Sequence, residues 1–320
     1  LVCYSARVWS DYRRYVREYG ADLSISDFHD LLWSRTQGAK VSIPPALDAA
    51  VAADQSPDGR RLWALVEQYH AQLQVTLKED LVKQQERLAT AEHSLERKVT
   101  KTASESRRIA QSKITAISER LEGLSNLSLQ AGDTRIFPGS YAPVMVGREG
   151  HRKVLPMRYQ CRPAGKPASY DTQFPGTYNA RLDNLQGFWR GQFGYTHGVV
   201  VTSAFFENVP LHMAEGRALA PGETPKTVVV EFKADPPQEL LLACLWSRWS
   251  ADGENDLVSF ALITDEPPPE VAAAGHDRCV VPLRPENLDA WLNPDPRGVQ
   301  GLYAILRDRQ PMRFGHQLAA

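Results

Sequence analysis

Residues 198–207 read Gly198-Val199-Val200-Val201-Thr202-Ser203-Ala204-Phe205-Phe206-Glu207. β-Branched and aromatic side chains crowd this run, and they suit a pleated, buried surface better than a helix. The spacing predicts a strand over Gly198–Phe206, closed by a carboxylate at its end. Five further runs have the same texture: Val154–Tyr159, Thr227–Lys233, Leu240–Trp249, Leu257–Thr264 and Cys279–Leu283. Prolines and glycines separate them, and no helical pattern alternates with them. A doubly wound parallel sheet is therefore not expected. A mostly antiparallel, barrel-like α+β domain is.

Upstream the texture differs. Residues 7–20 have an amphipathic helical pattern ended by Gly20, and Ser26 opens a second helix over Asp27–Trp33. Residues 36–58, with Pro44-Pro45 and Ser56-Pro57-Asp58-Gly59, read as loop. From 60 to 124 proline is absent and glycine occurs only at Gly123. Leu81, Leu88, Leu95 and Ile109 recur by sevens, with Thr102 in the gap. This is a long coiled-coil-like helix, or a hairpin bent near Thr100–Ser106. The expected organisation is one domain from 1–59 and 125–320, interrupted by a helical insertion over 60–124. That insertion is a candidate surface for a protein partner or for self-association. Residues 286–292 read as a short helix after Pro285.

Composition narrows the function. The 320 residues carry a net charge of −1, so any nucleic-acid site has to be a local patch. Cys3, Cys161, Cys244 and Cys279 show no metal-ligand spacing, and neither a metal nor a cofactor is expected. The same cysteines fit a reducing compartment. The first residues lack a charged segment followed by an apolar run, and no stretch is long enough for a membrane span. A cytoplasmic protein without a membrane role is the expectation.

The patch is at Arg148–Arg190. Eight Lys or Arg residues face three acids there, with six aromatic residues interleaved. Cations for phosphates and π-faces for unstacked bases are what a single-strand groove needs. Arg158, Arg162, Lys166, Arg181, Arg190 and Trp189 are the candidate DNA-binding residues. An ordinary basic face over core aromatics has the same composition.

Four residues stand out chemically. Cys3, if processing exposes it, carries an α-amine and a thiol on adjacent carbons, a pair that can capture an aldehyde as a thiazolidine. Asn179, in Tyr178-Asn179-Ala180-Arg181, can orient an amine, and Arg181 can grip a phosphate. Glu207, placed after an apolar strand, can serve as a desolvated proton donor. His276, in Gly275-His276-Asp277-Arg278, can act as acid or base. Each also has a plain structural reading.

Their order resembles the SRAP family (SOS-response-associated peptidase-like proteins). Phe137-Pro138-Gly139 is similar to the family's early Pro-Gly turn, Phe206-Glu207-Asn208 to its aromatic-Glu-aromatic motif, and Leu262-Ile263-Thr264 to the strand before its His-Asp-Arg motif. The resemblance spans roughly residues 1–35 and 130–295 and omits the helical stretch. It implies binding of abasic sites in single-stranded DNA or at single-strand/double-strand junctions, nucleoid association, and cross-linking through Cys3. Abasic-site lyase and autopeptidase activities come with it. Under it, Cys3 is the nucleophile, Asn179 positions the amine, Glu207 promotes sugar ring opening, His276 assists Schiff-base chemistry or β-elimination, and Arg181 holds phosphate. Leu1-Val2 would have to be removed, by initiation at Val2 and loss of the initiator or by self-cleavage. The family usually begins Met-Cys-Gly-Arg, whereas Tyr4-Ser5 follow Cys3 here. Asn208 likewise replaces the expected aromatic. The alternative is a cysteine peptidase or thiol hydrolase using Cys3, His276 and Asn179.

Overall fold

A computed structural model describes residues 5–126, 129 and 132–319. Its strands are β1 (Ser5–Val8), β2 (Asp22–Leu23), β3 (Arg135–Ile136), β4 (Tyr141–Arg148), β5 (His151–Tyr159) and β6 (Asn179–Arg181). They continue with β7 (His197–Pro210), β8 (Thr227–Asp235), β9 (Leu240–Trp249), β10 (Leu257–Asp265), β11 (Cys279–Val280) and β12 (Arg313–Leu318). The chain splits into two compact units, one of residues 1–31, 41–50 and 131–320, the other of 32–40 and 51–130.

In the first unit five strands close on themselves. β4 pairs β5, β5 pairs β10, β10 pairs β9, β9 pairs β7, and β7 returns to β4. Only β5–β10 is parallel in this ring. Closure removes the open edges that a sheet of this size would otherwise expose. The fold is the barrel-like α+β class expected from the strand runs.

β7 is the spine. Its first half lies in the barrel, pairing β9 over His197–Thr202. Its second half leaves the ring and pairs β1 on one side and β8 on the other. The barrel is narrow at the start of β7, where a Cβ on Gly198 would meet Cys244 Sγ and Val144 Cγ1 at 3.0 Å. Val144, Leu155, Met157, Val200, Leu242 and Phe260 fill the interior and are all buried. Beyond the ring, Phe205 stacks on Phe232 at 5.1 Å between ring centroids and meets Phe314 edge-on. Such aromatic pairs add about 0.5–1.5 kcal/mol each beyond their buried area.

Three local expectations need correction. Residues 7–20 are not all helix: β1 takes Ser5–Val8, and helix α1 covers Tyr12–Tyr19. Ala6 and Val8 are buried by pairing with β7, and that pairing overrides the helical pattern. Gly20 does end α1, in the left-handed conformation at φ 59°. α2 runs Ile25–Thr36. The stretch 36–58 contains helix α3 (Pro45–Ala53), because Pro45 stands at its first position, where a missing N–H costs nothing. Glu207 does not end its strand. β8 pairs with β7 out to Pro210, so Glu207 lies within the ladder opposite Val230.

The second unit is a helical hairpin of α4 (Pro57–Arg97) and α5 (Lys101–Asn126). Ser56 caps α4 by accepting from the Gly59 N–H at 3.0 Å. The bend is at 98–100, just ahead of the expected position, and Thr100 Oγ1 caps α5 by accepting from the Ala103 N–H. Leu77 and Ala91 on α4 and Ala103 and Ala110 on α5 are buried, and Arg87 Nε donates to Ser106 Oγ at 3.0 Å across the pair. The seven-residue stripe itself is only half-buried at Leu81, Leu88, Leu95 and Ile109, and Thr102 is exposed. Among the described residues no helix is long and apolar enough to cross a membrane.

Candidate functional site

Strand alternation puts Phe205, Glu207 and Val209 on the inner side of β7 and Phe206 on the other. Phe205 and Val209 are core residues, and Glu207 is as fully buried as they are. Facing it is His276, whose Nε2 lies 3.2 Å from Glu207 Oε2. The histidine arrives on a tight loop. Gly275 has φ +97°, and a Cβ there would meet Met213 and the Pro210 ring at 3.0–3.1 Å. Only glycine lets this loop close over the end of β7.

Nδ1 meets the Arg278 backbone twice, 2.8 Å from its carbonyl oxygen and 3.3 Å from its N–H, so it donates in one tautomer and accepts in the other. Nε2 is the ring nitrogen turned toward Glu207. Burial lowers the His276 pKa, with the Arg278 carbonyl and the Asp277 charge opposing that shift. The arrangement sets a buried carboxyl beside a buried imidazole, the two kinds of group that acid–base chemistry uses.

Asn179 comes from β6, which runs parallel to the end of β10, with Asn179 opposite Leu262 and Arg181 opposite Thr264. It is nearly buried, and its Oδ1 accepts from Thr264 Oγ1. That bond fixes the amide so that its NH2 end faces away from Thr264. Across β10, Thr264 pairs with Val280 and Asp265 with Cys279. The buried Cys279 thiol is pushed up, first by burial and then by the charge of Glu207. Glu207, His276, Asn179, Thr264 and Cys279 thus gather where β7 and β10 end. Cys279 stays a protonated, inert thiol there. Among the described residues no cluster could hold a metal ion.

Beside Asn179 a surface cleft of about 350 Å³ runs between residues 173–179 and 184–189. Arg181 lies on its wall, exposed, and grips Asp183 through Nε at 3.0 Å and through Nη2. Phe174 and Phe188 line the cleft and are 48% and 40% exposed, each ring also packing on Tyr170. Trp189 also lines it but is buried, packed edge-on against Phe188. Lys166 and Arg190 are exposed.

Arg158 and Arg162 are placed differently. Both are mostly buried and converge on Asp171, Arg158 Nη1 at 2.7 Å and Arg162 through Nε at 3.1 Å and through Nη2. Burial alone would raise the Asp171 pKa, but the hydrogen bonds from Arg162 and Arg158 outweigh it and hold the carboxyl low. These arginines brace the loop behind the cleft and do not face solvent as free cations.

Cys3 lies outside the described residues. Two positions on, Ser5 is the ladder partner of Phe206, the neighbour of Glu207. The outer face of Phe206 is covered by the Arg135 guanidinium at 3.9 Å and by Arg7 at 5.5 Å. Arg135 Nε also donates to Ser5 Oγ at 2.8 Å, and Arg7 pairs with the buried Glu231. β1 is thereby tied to the strand that carries Glu207.

The family model described as SOS response associated peptidase (SRAP) matches residues 83–315. The chain belongs to the SRAP family. That membership ties it to the SOS response to DNA damage. Solved structures are similar to part of this chain. A protein from Bordetella bronchiseptica is 16% identical with a TM-score of 0.47, over 60% of this chain and 90% of its own. One from Bacteroides thetaiotaomicron is 14% identical with a TM-score of 0.45, over 58% and 77%. A phage-related protein from Bordetella bronchiseptica is 23% identical with a TM-score of 0.43, over 61% and 85%. No curated protein matches the chain.

The residues that sequence reasoning missed in this SRAP chain are partners of those it found. Thr264 was legible as the end of a strand, but nothing in its neighbours announced that it would hold Asn179. Asp171 and Asp183 read as isolated acids in a basic stretch. Only the loop folding shows that they engage three of its arginines.

Proposed function

We propose that this SRAP protein captures abasic sites in single-stranded or junction DNA through Cys3, once Cys3 is the amino-terminal residue. The observation that carries the reading is the buried Glu207–His276 couple, one residue along β7 from the ladder partner of Ser5. Cys3 is two residues from Ser5, and consecutive Cα atoms are ~3.8 Å apart. Connectivity thus keeps the Cys3 Cα within ~8 Å of the Ser5 Cα.

The Glu207 carboxyl protonates the sugar ring oxygen, the C1′–O4′ bond breaks, and the C1′ hydroxyl gives up its proton as it becomes the aldehyde oxygen. The Cys3 amine adds to the aldehyde carbon, forming a C–N bond, and the carbinolamine loses one water to give a Schiff base. The Cys3 sulfur then adds to the same carbon. The C=N electron pair moves to nitrogen, which takes up a proton, and the thiazolidine ring closes. Overall one water leaves, and no oxidant or metal is required. Tethering makes the second addition intramolecular, where most of the acceleration arises. Glu207 and His276 supply and recover the single proton that each step needs. Asn179, its Oδ1 held by Thr264, positions the Cys3 amine by accepting its N–H on the second lone pair of Oδ1.

The cleft beside Asn179 suits the strand. Arg181, Lys166 and Arg190 meet phosphates, and Phe174 and Phe188 receive unstacked bases. Arg158 and Arg162 contribute by holding the loop.

The alternative, a thiol hydrolase or peptidase using Cys3, His276 and Asn179, needs only the thiol. It is less well supported, because His276 Nε2 is directed at Glu207 and Asn179 Oδ1 at Thr264. Blocking the α-amine by acetylation separates the two. Abasic-site capture should be abolished, whereas thiol-dependent hydrolysis would persist.

A further inference from the structure

At the opposite end of the barrel from Glu207 lies a cleft of about 420 Å³, beside Thr196, which precedes β7. Val146 and Leu155 form its apolar wall, Trp246 contributes an indole, and Gln192, Arg148 and Arg248 are its principal polar side chains. The volume falls in the ~300–1,000 Å³ range of small-ligand sites.

Gln192 is the informative residue. It is only 8% exposed, yet its side-chain amide makes no hydrogen bond with any described residue. Its backbone is fully engaged, the N–H donating to the Trp189 carbonyl at 2.9 Å and the carbonyl accepting from Thr196 N–H at 2.8 Å. A rigid turn therefore presents an unpartnered amide to the cleft. That amide reaches the open cleft, where a ligand with an acceptor and a donor side by side can engage both of its ends. Trp246 is fixed as well, its Nε1 donating to the His197 carbonyl at 3.1 Å, so its ring is held half-buried in the cleft wall. Arg148 stands exposed at the mouth, with no ion pair among the described residues. Arg248 is loosely paired, 3.6 Å from Asp27 and 3.7 Å from Asp256.

A planar surface, a donor–acceptor amide and a cation select a flat heterocycle with adjacent polar edges joined to an anion. We propose that this cleft binds a single nucleotide, its base against Trp246, its edge on the Gln192 amide and its phosphate at Arg148. The site shares no residue with the Glu207–His276 couple and stands independently of abasic-site capture. The nucleotide comes either from solution or from the phosphorylated end of a strand.

Titration calorimetry on the full chain tests this. The probes are dAMP, dGMP, dCMP, dTMP, inorganic phosphate and a 5′-phosphorylated oligonucleotide. Saturable binding of at least one mononucleotide is expected, weakened about tenfold or more by Gln192→Leu and by Arg148→Ala. Binding of the oligonucleotide alone, with the same dependence on both residues, would assign the site to a strand end. Arg148 is exposed, so its variant tests the site even if Gln192→Leu fails to fold. No binding of any nucleotide probe overturns the proposal. So does binding indifferent to both substitutions, or inorganic phosphate binding as tightly as the nucleotides.

Discussion

His276 Nε2 lies 3.2 Å from Glu207 Oε2, with the two side chains 1% and 0% exposed. Nδ1 of the same ring is held against the Arg278 backbone, near both its carbonyl and its N–H. The two side chains are placed to act together, and changing either should impair that.

Glu207→Gln keeps the shape and removes the acid. Abasic-site capture should slow by about 10²–10⁴-fold, the usual range for a general acid or base. His276→Gln should also slow capture, with the pH–rate profile losing the limb that reports the pair. Single-turnover gels across pH check both. Equal rates for wild type and Glu207→Gln would remove the carboxyl from the chemistry.

The acid sensitivity of the fold has a separate source at the other end of β7. His197 is buried, accepts from the Gly194 N–H at 2.8 Å and stacks on Trp291, and burial pulls its pKa down to about 3. Unfolded histidine titrates near ~6.5. Between those values the unfolded chain binds the extra proton, so stability is full above pH ~6.5 and is lost as pH falls toward 3. Buried His276 acts in the same direction. Urea melts at several pH values should show this slope, and His197→Gln should flatten it while lowering stability at neutral pH.

The loop that delivers His276 depends on Gly275. Alanine there meets both a φ of +97° and contacts of 3.0–3.1 Å to Met213 and Pro210. Gly275→Ala should destabilise by roughly 1–2 kcal/mol and displace the imidazole. A fall in melting temperature together with slower capture is the expected pattern.

Asp171 holds two arginines whose side chains are 15% and 10% exposed. Asp171→Ala would leave both cations buried without their partner, at a cost of about 3–5 kcal/mol. Wild-type stability in that variant would mean that the cluster is dispensable.

Much of this architecture can be read from local pattern. Leu240–Trp249 is a strand as its composition dictates, and the proline-free stretch after residue 60 is helical, as its pattern predicts. Ser5–Val8 was not legible, since its strand character comes from pairing with β7 rather than from its own residues. At the site, Glu207, His276 and Asn179 stood out by chemistry. The Asn179–Thr264 bond and the Asp171 clamp did not, because both join residues that are distant in sequence or hidden in a loop.

The most direct test mixes protein whose amino terminus is verified as Cys3 with single-stranded DNA carrying one abasic site, followed by a denaturing gel. The account predicts a heat-stable shifted band, absent with Cys3→Ala and with undamaged DNA, and strongly reduced with Glu207→Gln. No band from the verified wild-type protein, or an undiminished band from Cys3→Ala, would contradict it.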